Sequence, residues 1–142
     1  MTGKDVTAYV DGSFNNSANR YGSGIVLICD SEMKVLYRGG DDPQLVGMRN
    51  VAGELNAAIL AISMAPKEFP DISSLTICHD YEGISKWVTG EWKAKKGITQ
   101  GYRDFVKAQT FPVKFIKVDA HSGDYYNNTA DKLAKMGAGL EV

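Results

Sequence analysis

The chain has 142 residues, 44% of them hydrophobic and 23% charged, with a formal net charge of −1. These are the proportions of one soluble globular domain, residues 1–142, and they exclude a transmembrane chain, since no apolar run approaches the length of a bilayer span. The near-neutral charge argues neither for nor against a polyanion partner, so any nucleic-acid contact has to rest on a local patch. The amino terminus has no apolar segment of signal-peptide type, and a cytoplasmic monomer is expected. Cys29 and Cys78 sit in apolar strand-like runs and are expected to be reduced and buried.

Taken in order, residues 5–12 alternate Val6, Ala8 and Val10 with Thr7, Tyr9 and Asp11, the period of a strand. Residues 15–20 are turn chemistry. Residues 21–30 read as a second strand, and Ser31-Glu32 as a short hairpin to a third, residues 33–39. From Asn50 the period becomes helical: Val51, Leu55, Ala58, Ile59 and Ile62 fall on one face, Ala57, Ala61 and Ala65 raise propensity, Asn50 is the expected N-cap and Pro66 the exit. Leu75 to His79 is a fourth strand ending at Asp80. A short helix over residues 82–88 and another over 99–108 follow. Val113, Phe115, Ile116 and Val118 make a fifth strand, and a loop over residues 121–127 leads to a last helix with Ala130, Leu133 and Ala134 inward. This order predicts an α/β fold with a mixed five-stranded sheet, an antiparallel meander continued by parallel strands through right-handed crossovers, flanked by helices.

Four carboxylates recur at the edges of these elements. Asp11 ends an apolar strand, where it either starts a turn through its own backbone or holds a cation. Glu54 lies at the edge of the helical apolar stripe; it either reaches out to a neighbour such as Arg49 or points inward. Asp80 repeats the Asp11 pattern and could simply cap the next helix. Asp131 is expected in the first turn of the last helix, which favours an acid in any case. Together they deliver four like charges to one edge of the sheet, and these repel unless cations intervene. An all-oxygen donor set suits Mg²⁺ or Mn²⁺ rather than zinc. Four carboxylates suit two such ions, about 3.5–4 Å apart, as in phosphodiester displacement.

The segments Val-Asp-Gly-Ser at Asp11, Ala-Gly-Glu-Leu at Glu54, Cys-His-Asp-Tyr at Asp80 and Thr-Ala-Asp-Lys-Leu-Ala at Asp131 resemble the four active-site acids of type 1 ribonuclease H. So does the loop Ala-His-Ser-Gly-Asp-Tyr-Tyr-Asn from Ala120 to Asn127. The resemblance covers the whole chain. The stretches from Arg49 to Glu54, Asp80 to Ile84 and Gly90 to Ala94 look most like bacterial ribonuclease H domains that are elsewhere fused to a viroplasmin-like hybrid-binding domain, which these 142 residues do not include.

The resemblance implies a ribonuclease H-like fold and cleavage of the RNA strand of an RNA–DNA hybrid, leaving 3′-hydroxyl and 5′-phosphate ends. It implies Asp11, Glu54, Asp80 and Asp131 as ligands of two Mg²⁺ ions, with Mn²⁺ able to substitute, and His121 as an aid to the leaving group or to product release. Ser13, Asn15, Asn16, Asn50 and Asn127 become candidates for reading the hybrid through the 2′-hydroxyl. Val51 stands where the family has the second of two asparagines. Trp92 and Lys93, with Trp87, Lys95 and Lys96, fall where the family holds the DNA strand, in a shorter basic segment than many relatives carry. Turn chemistry for Asn15 and Asn16, and a core position for Trp87, are the structural alternatives. The competing functions are a non-catalytic hybrid-binding module, a transposase or integrase core, and a structural domain with individually satisfied acids.

Overall fold

The computed structural model describes residues 3–119 and 124–141. In chain order these form β1 (Lys4–Asn15), β2 (Arg20–Cys29), β3 (Glu32–Gly40), α1 (Pro43–Val46), α2 (Asn50–Glu68), β4 (Ile72–His79), α3 (Gly83–Thr89), α4 (Gly97–Lys107), β5 (Val113–Lys117) and α5 (Tyr125–Gly137). The strands make one sheet in the order β3-β2-β1-β4-β5. The first three are antiparallel, and β4 and β5 run parallel to β1, as the sequence predicts.

Helices cover both faces. Val6, Ala8 and Val10 of β1 and Ile25 and Leu27 of β2 are buried under α2, with α3 and α4 continuing that layer. On the other face Val26 packs against Ala130 and Leu133 of α5. Ala57, Ala58, Ala61 and Ala65 of α2 are wholly buried. The sequence suggests three of them for helix propensity alone; in the fold they form a face with nothing beyond Cβ, which lets the helix approach the sheet closely. At the crossing a Cβ on Gly12 would overlap backbone atoms of Glu54 and Asn50, and one on Gly53 would overlap the Gly22 carbonyl oxygen.

Several boundaries differ from the sequence reading. β1 continues past Asp11 to Asn15, because Gly12 and Ser13 stay in the ladder opposite Ser23 and Gly22. The turn therefore starts at Asn16. Pro66 lies inside α2 rather than ending it; the buried Phe69 returns its N–H to the Ala65 carbonyl at 2.8 Å and holds the last turn in place. α4 starts at Gly97, because the Lys96 N–H donates to Thr99 Oγ1 at 3.2 Å and draws Thr99 into the first turn. The N-cap of α2 is Arg49, not Asn50. α1 was not foreseen; Asp42 caps it by accepting the Gln44 N–H at 2.9 Å. Cys29 and Cys78 are both buried and unpaired.

Candidate active site

Three elements bring three acids together. Asp11 sits within β1, opposite Gly24 of β2, and its Oδ1 accepts the Gly12 N–H at 2.9 Å. Glu54 comes from the second turn of α2, brought close by the Gly12–Gly53 crossing. Asp80 directly follows β4. One carboxylate oxygen from each lies within 4.8 Å of the others. Asp131 of α5 lines the same cleft, which holds about 380 Å³, but stands outside this tight trio; its Oδ2 is 3.1 Å from Lys135 Nζ.

The structural alternatives fare unequally. Arg49 does not reach Glu54: its guanidinium donates to Asn16 Oδ1 and lies 5.1 Å above the Phe14 ring. Glu54 instead turns inward and is 3% exposed. Asp80 does not cap α3, whose N-cap is Glu82. Asp131 is the seventh residue of α5, not in its first turn, because the helix already starts at Tyr125. Asp124 takes the capping role there, accepting the N–H groups of Tyr126 and Asn127 at 2.9 and 3.1 Å.

The trio is electrostatically uncomfortable. Burial pushes the Asp11 carboxyl up to about 7, and the charges of Asp80 and Asp131 add to this against the pull of the Gly12 N–H. Burial, then Asp11 and Asp80, raise Glu54 well above the ordinary glutamate range. Glu54 Oε1 is fully buried with no hydrogen-bond partner. A buried carboxylate oxygen without a hydrogen-bond partner, on a side chain clustered with two other acids, fits a divalent cation bound through oxygen.

Around the trio, Asn50 and Asn127 line the cleft, and Asn127 is buried. Ser13 is half-buried in the β1 ladder, beyond the cleft lining. Asn15 is held structurally: its Oδ1 accepts the Ser17 and Ala18 N–H groups at 3.0 and 3.1 Å, and its Nδ2 donates to the Ala138 carbonyl at 3.1 Å. Asn16 accepts from Arg49. His121 lies outside the described residues. Trp92 is half-buried in an aromatic triad with Tyr81 and Trp87, ring centres 5.8–5.9 Å apart, and Lys86 Nζ lies 5.7 Å from its ring. Trp87, rather than Trp92, joins Lys93, Lys95 and Lys96 in lining a second groove of about 290 Å³.

Sequence reasoning missed Tyr81 and Lys117, both in the wall of the acid cleft. Lys117 pairs in register with His79 at the end of β4, which places it one strand away from Asp80. The signal was the parallel pairing of the two final strands rather than any motif. Arg49 was also unremarked as a backbone feature: it has φ 57° and ψ −127°, in the left-handed half of conformational space.

The RNase H family model matches residues 3–139. The ribonuclease H of Chlorobaculum parvum is 30% identical over 94% of both chains. Ribonuclease HI of Haemophilus ducreyi is 28% identical over 95% of this chain and 91% of its own. The N-terminal RNase H domain of a Mycobacterium tuberculosis protein superposes with a TM-score of 0.76 over 96% of this chain and 94% of its own, at 18% identity. RNase H1 of Halobacterium salinarum gives 0.70 over 95% and 98%, at 20% identity. A sheet of this order, carrying acids on β1, α2, α5 and the end of β4, thus coincides with a family match along nearly the whole chain, and the protein belongs to the RNase H family as a type 1 ribonuclease H.

Proposed function

We propose that this enzyme hydrolyses the RNA strand of RNA–DNA hybrids by a two-metal-ion mechanism, leaving 3′-hydroxyl and 5′-phosphate ends. The observation that carries the metal assignment is the trio of acid oxygens within 4.8 Å, beside a buried Glu54 oxygen that has no hydrogen-bond partner. Asp11, Glu54 and Asp80 would hold one divalent cation, and Asp11 and Asp131 a second. Mg²⁺, with Mn²⁺ able to substitute, supplies Lewis acidity toward the attacking water and the scissile phosphate.

The protein's own groups do the rest. Asp11 presents its carboxylate from inside the β1–β2 ladder, where its pairing opposite Gly24 sets its position. Water oxygen bonds to phosphorus, the P–O3′ bond breaks, and the departing oxygen takes up a proton. His121 assists that departure or the release of product. Asn50 and Asn127 in the cleft wall, with Ser13 and Asn16 further along β1 and its turn, read the RNA minor groove. Lys93 and Trp87, with Lys95 and Lys96, hold the DNA strand through its phosphates and sugars. No helix among the described residues is long and apolar enough to cross a membrane, and buried free cysteines support a cytoplasmic setting.

The test is incubation of wild type and Asp11→Asn with labelled RNA–DNA hybrid in Mg²⁺ and in Mn²⁺. Cleavage of the RNA strand by wild type alone is expected. Intact RNA under both metals would refute the reading, and cleavage of duplex DNA would shift it to a transposase-like activity.

A further inference from the structure

We propose that His79 is the positioning residue of Asp80: its buried ring ties the residue before the acid to the residue after it, and so fixes the carboxylate for metal. The inference rests on the reading of Asp80 as a metal ligand. Three of the four acids stand on regular elements, Asp11 in β1, Glu54 in α2 and Asp131 in α5. Asp80 does not. It lies in the connection between β4, which ends at His79, and α3, which starts at Gly83. A ligand carried on a connection has to be held to a fraction of an ångström by its neighbours.

His79 supplies that hold. Its side chain is 1% exposed, and its Nδ1 lies 2.9 Å from the Tyr81 carbonyl oxygen. A carbonyl only accepts, so Nδ1 carries the proton and donates it, closing a small loop whose middle residue is Asp80. The same carbonyl accepts the Ile84 N–H at 3.2 Å, which joins the loop to the first turn of α3. On the strand side, the His79 carbonyl accepts the Val118 N–H at 2.8 Å, and the ring meets Phe115 of β5 edge-on, with ring centres 5.8 Å apart. The Tyr81 ring is anchored in its turn by Trp87 and Trp92. Both residues that flank Asp80 are thus fixed, and fixed to each other. Packing alone does not account for a histidine here. His79 Nε2 is buried with no hydrogen-bond partner, a cost that a leucine of similar bulk would not carry. What the imidazole adds over leucine is one donor at the Nδ1 position, and that donor goes to the carbonyl beside Asp80.

Three replacements separate the donor from the bulk. In asparagine the amide nitrogen stands as many bonds from the backbone as histidine Nδ1. In glutamine it reaches the place of Nε2 instead, and leucine has no donor. Mn²⁺ binding to the substrate-free protein is measured by calorimetry, with Asp80→Asn as control, beside melting temperature and hybrid-cleavage kinetics. His79→Gln and His79→Leu should bind Mn²⁺ about 10-fold more weakly and lose kcat with KM for hybrid unchanged, while His79→Asn stays within about 2-fold of wild type. Stability should run the other way: leucine fills the site and melts higher than asparagine, which leaves a void. A loss in His79→Asn as large as in His79→Leu, or Mn²⁺ affinity that simply follows melting temperature, would make His79 a packing residue and overturn the proposal. Wild-type Mn²⁺ binding that Asp80→Asn leaves unchanged would refute the metal reading of Asp80 itself, and the proposal with it.

Discussion

A methyl group on Gly12 would overlap the backbone nitrogen of Glu54, so β1 and α2 meet main chain to main chain beside the acid trio. Gly12→Ala has no flexible neighbour to push aside and must lift the amino-terminal end of α2. The expected effect is a loss of about 2–3 kcal/mol of stability together with a large fall in turnover, because Glu54 moves with the helix. Thermal denaturation and a hybrid-cleavage assay on the same preparation check it; wild-type activity in a destabilised variant would separate the glycine from the site.

Asp11→Asn should reduce cleavage by at least about 100-fold. In metal-free buffer its effect on stability is the reverse of a loss. The folded carboxyl titrates near 7 against an ordinary value of 3.8, so the folded state favours the protonated form. That contribution is full below the unfolded value and disappears as pH rises through the folded one. Metal-free wild type should therefore lose stability between about pH 4 and pH 8, by roughly 2–4 kcal/mol from this group. Asp11→Asn should flatten the slope and melt higher than wild type at alkaline pH. Melting curves with and without Mg²⁺ at several pH values measure this; a variant that melts lower throughout would mean that Asp11 is structurally paired.

Arg49 occupies a left-handed backbone position while its side chain donates to Asn16 and covers Phe14. Truncation to alanine removes those contacts and keeps the strain; truncation to glycine removes both. Arg49→Gly should therefore be more stable than Arg49→Ala by about 1 kcal/mol, opposite to the usual order near a helix. Urea denaturation of the pair is sufficient.

The lysine groove has a salt signature. Replacing Lys93, Lys95 and Lys96 together by alanine should weaken hybrid binding and shrink the slope of log affinity against log salt by about 2–3. Filter binding of an Asp11→Asn background in Mg²⁺ at several salt concentrations reads the slope without cleavage. An unchanged slope would mean that these lysines only face solvent.

Much of this architecture was legible in the chain. The period-two run ending at Asp11 and the helical run through Glu54 place two acids on adjoining elements, and the segments around all four acids resemble one family. What stayed hidden depends on tertiary geometry. No local pattern says that β1 runs four residues past Asp11, because Gly12 and Ser13 are kept in the ladder by Ser23 and Gly22, on the far side of the turn in β2. Asn15 reads as a turn residue and is one, but its amide also ties the turn to the end of α5, a contact spanning most of the sequence. Lys117 is unremarkable until β5 is laid beside β4. Nor does the chain show that Asp131 stands apart from the other acids and pairs with Lys135 one turn along the helix.

The alanine face of α2 has a practical corollary for anyone redesigning this enzyme. Thermostable variants are often sought by enlarging buried residues. Here Ala57, Ala58, Ala61 and Ala65 act as a spacer of fixed thickness, and Glu54 rides on the same rigid rod. Any gain in bulk beneath the rod tilts the carboxylate away from Asp11 and Asp80. Side-chain volume one or more helical turns from the chemistry is therefore part of the ligand geometry, and stabilisation has to be sought on the exposed surfaces instead.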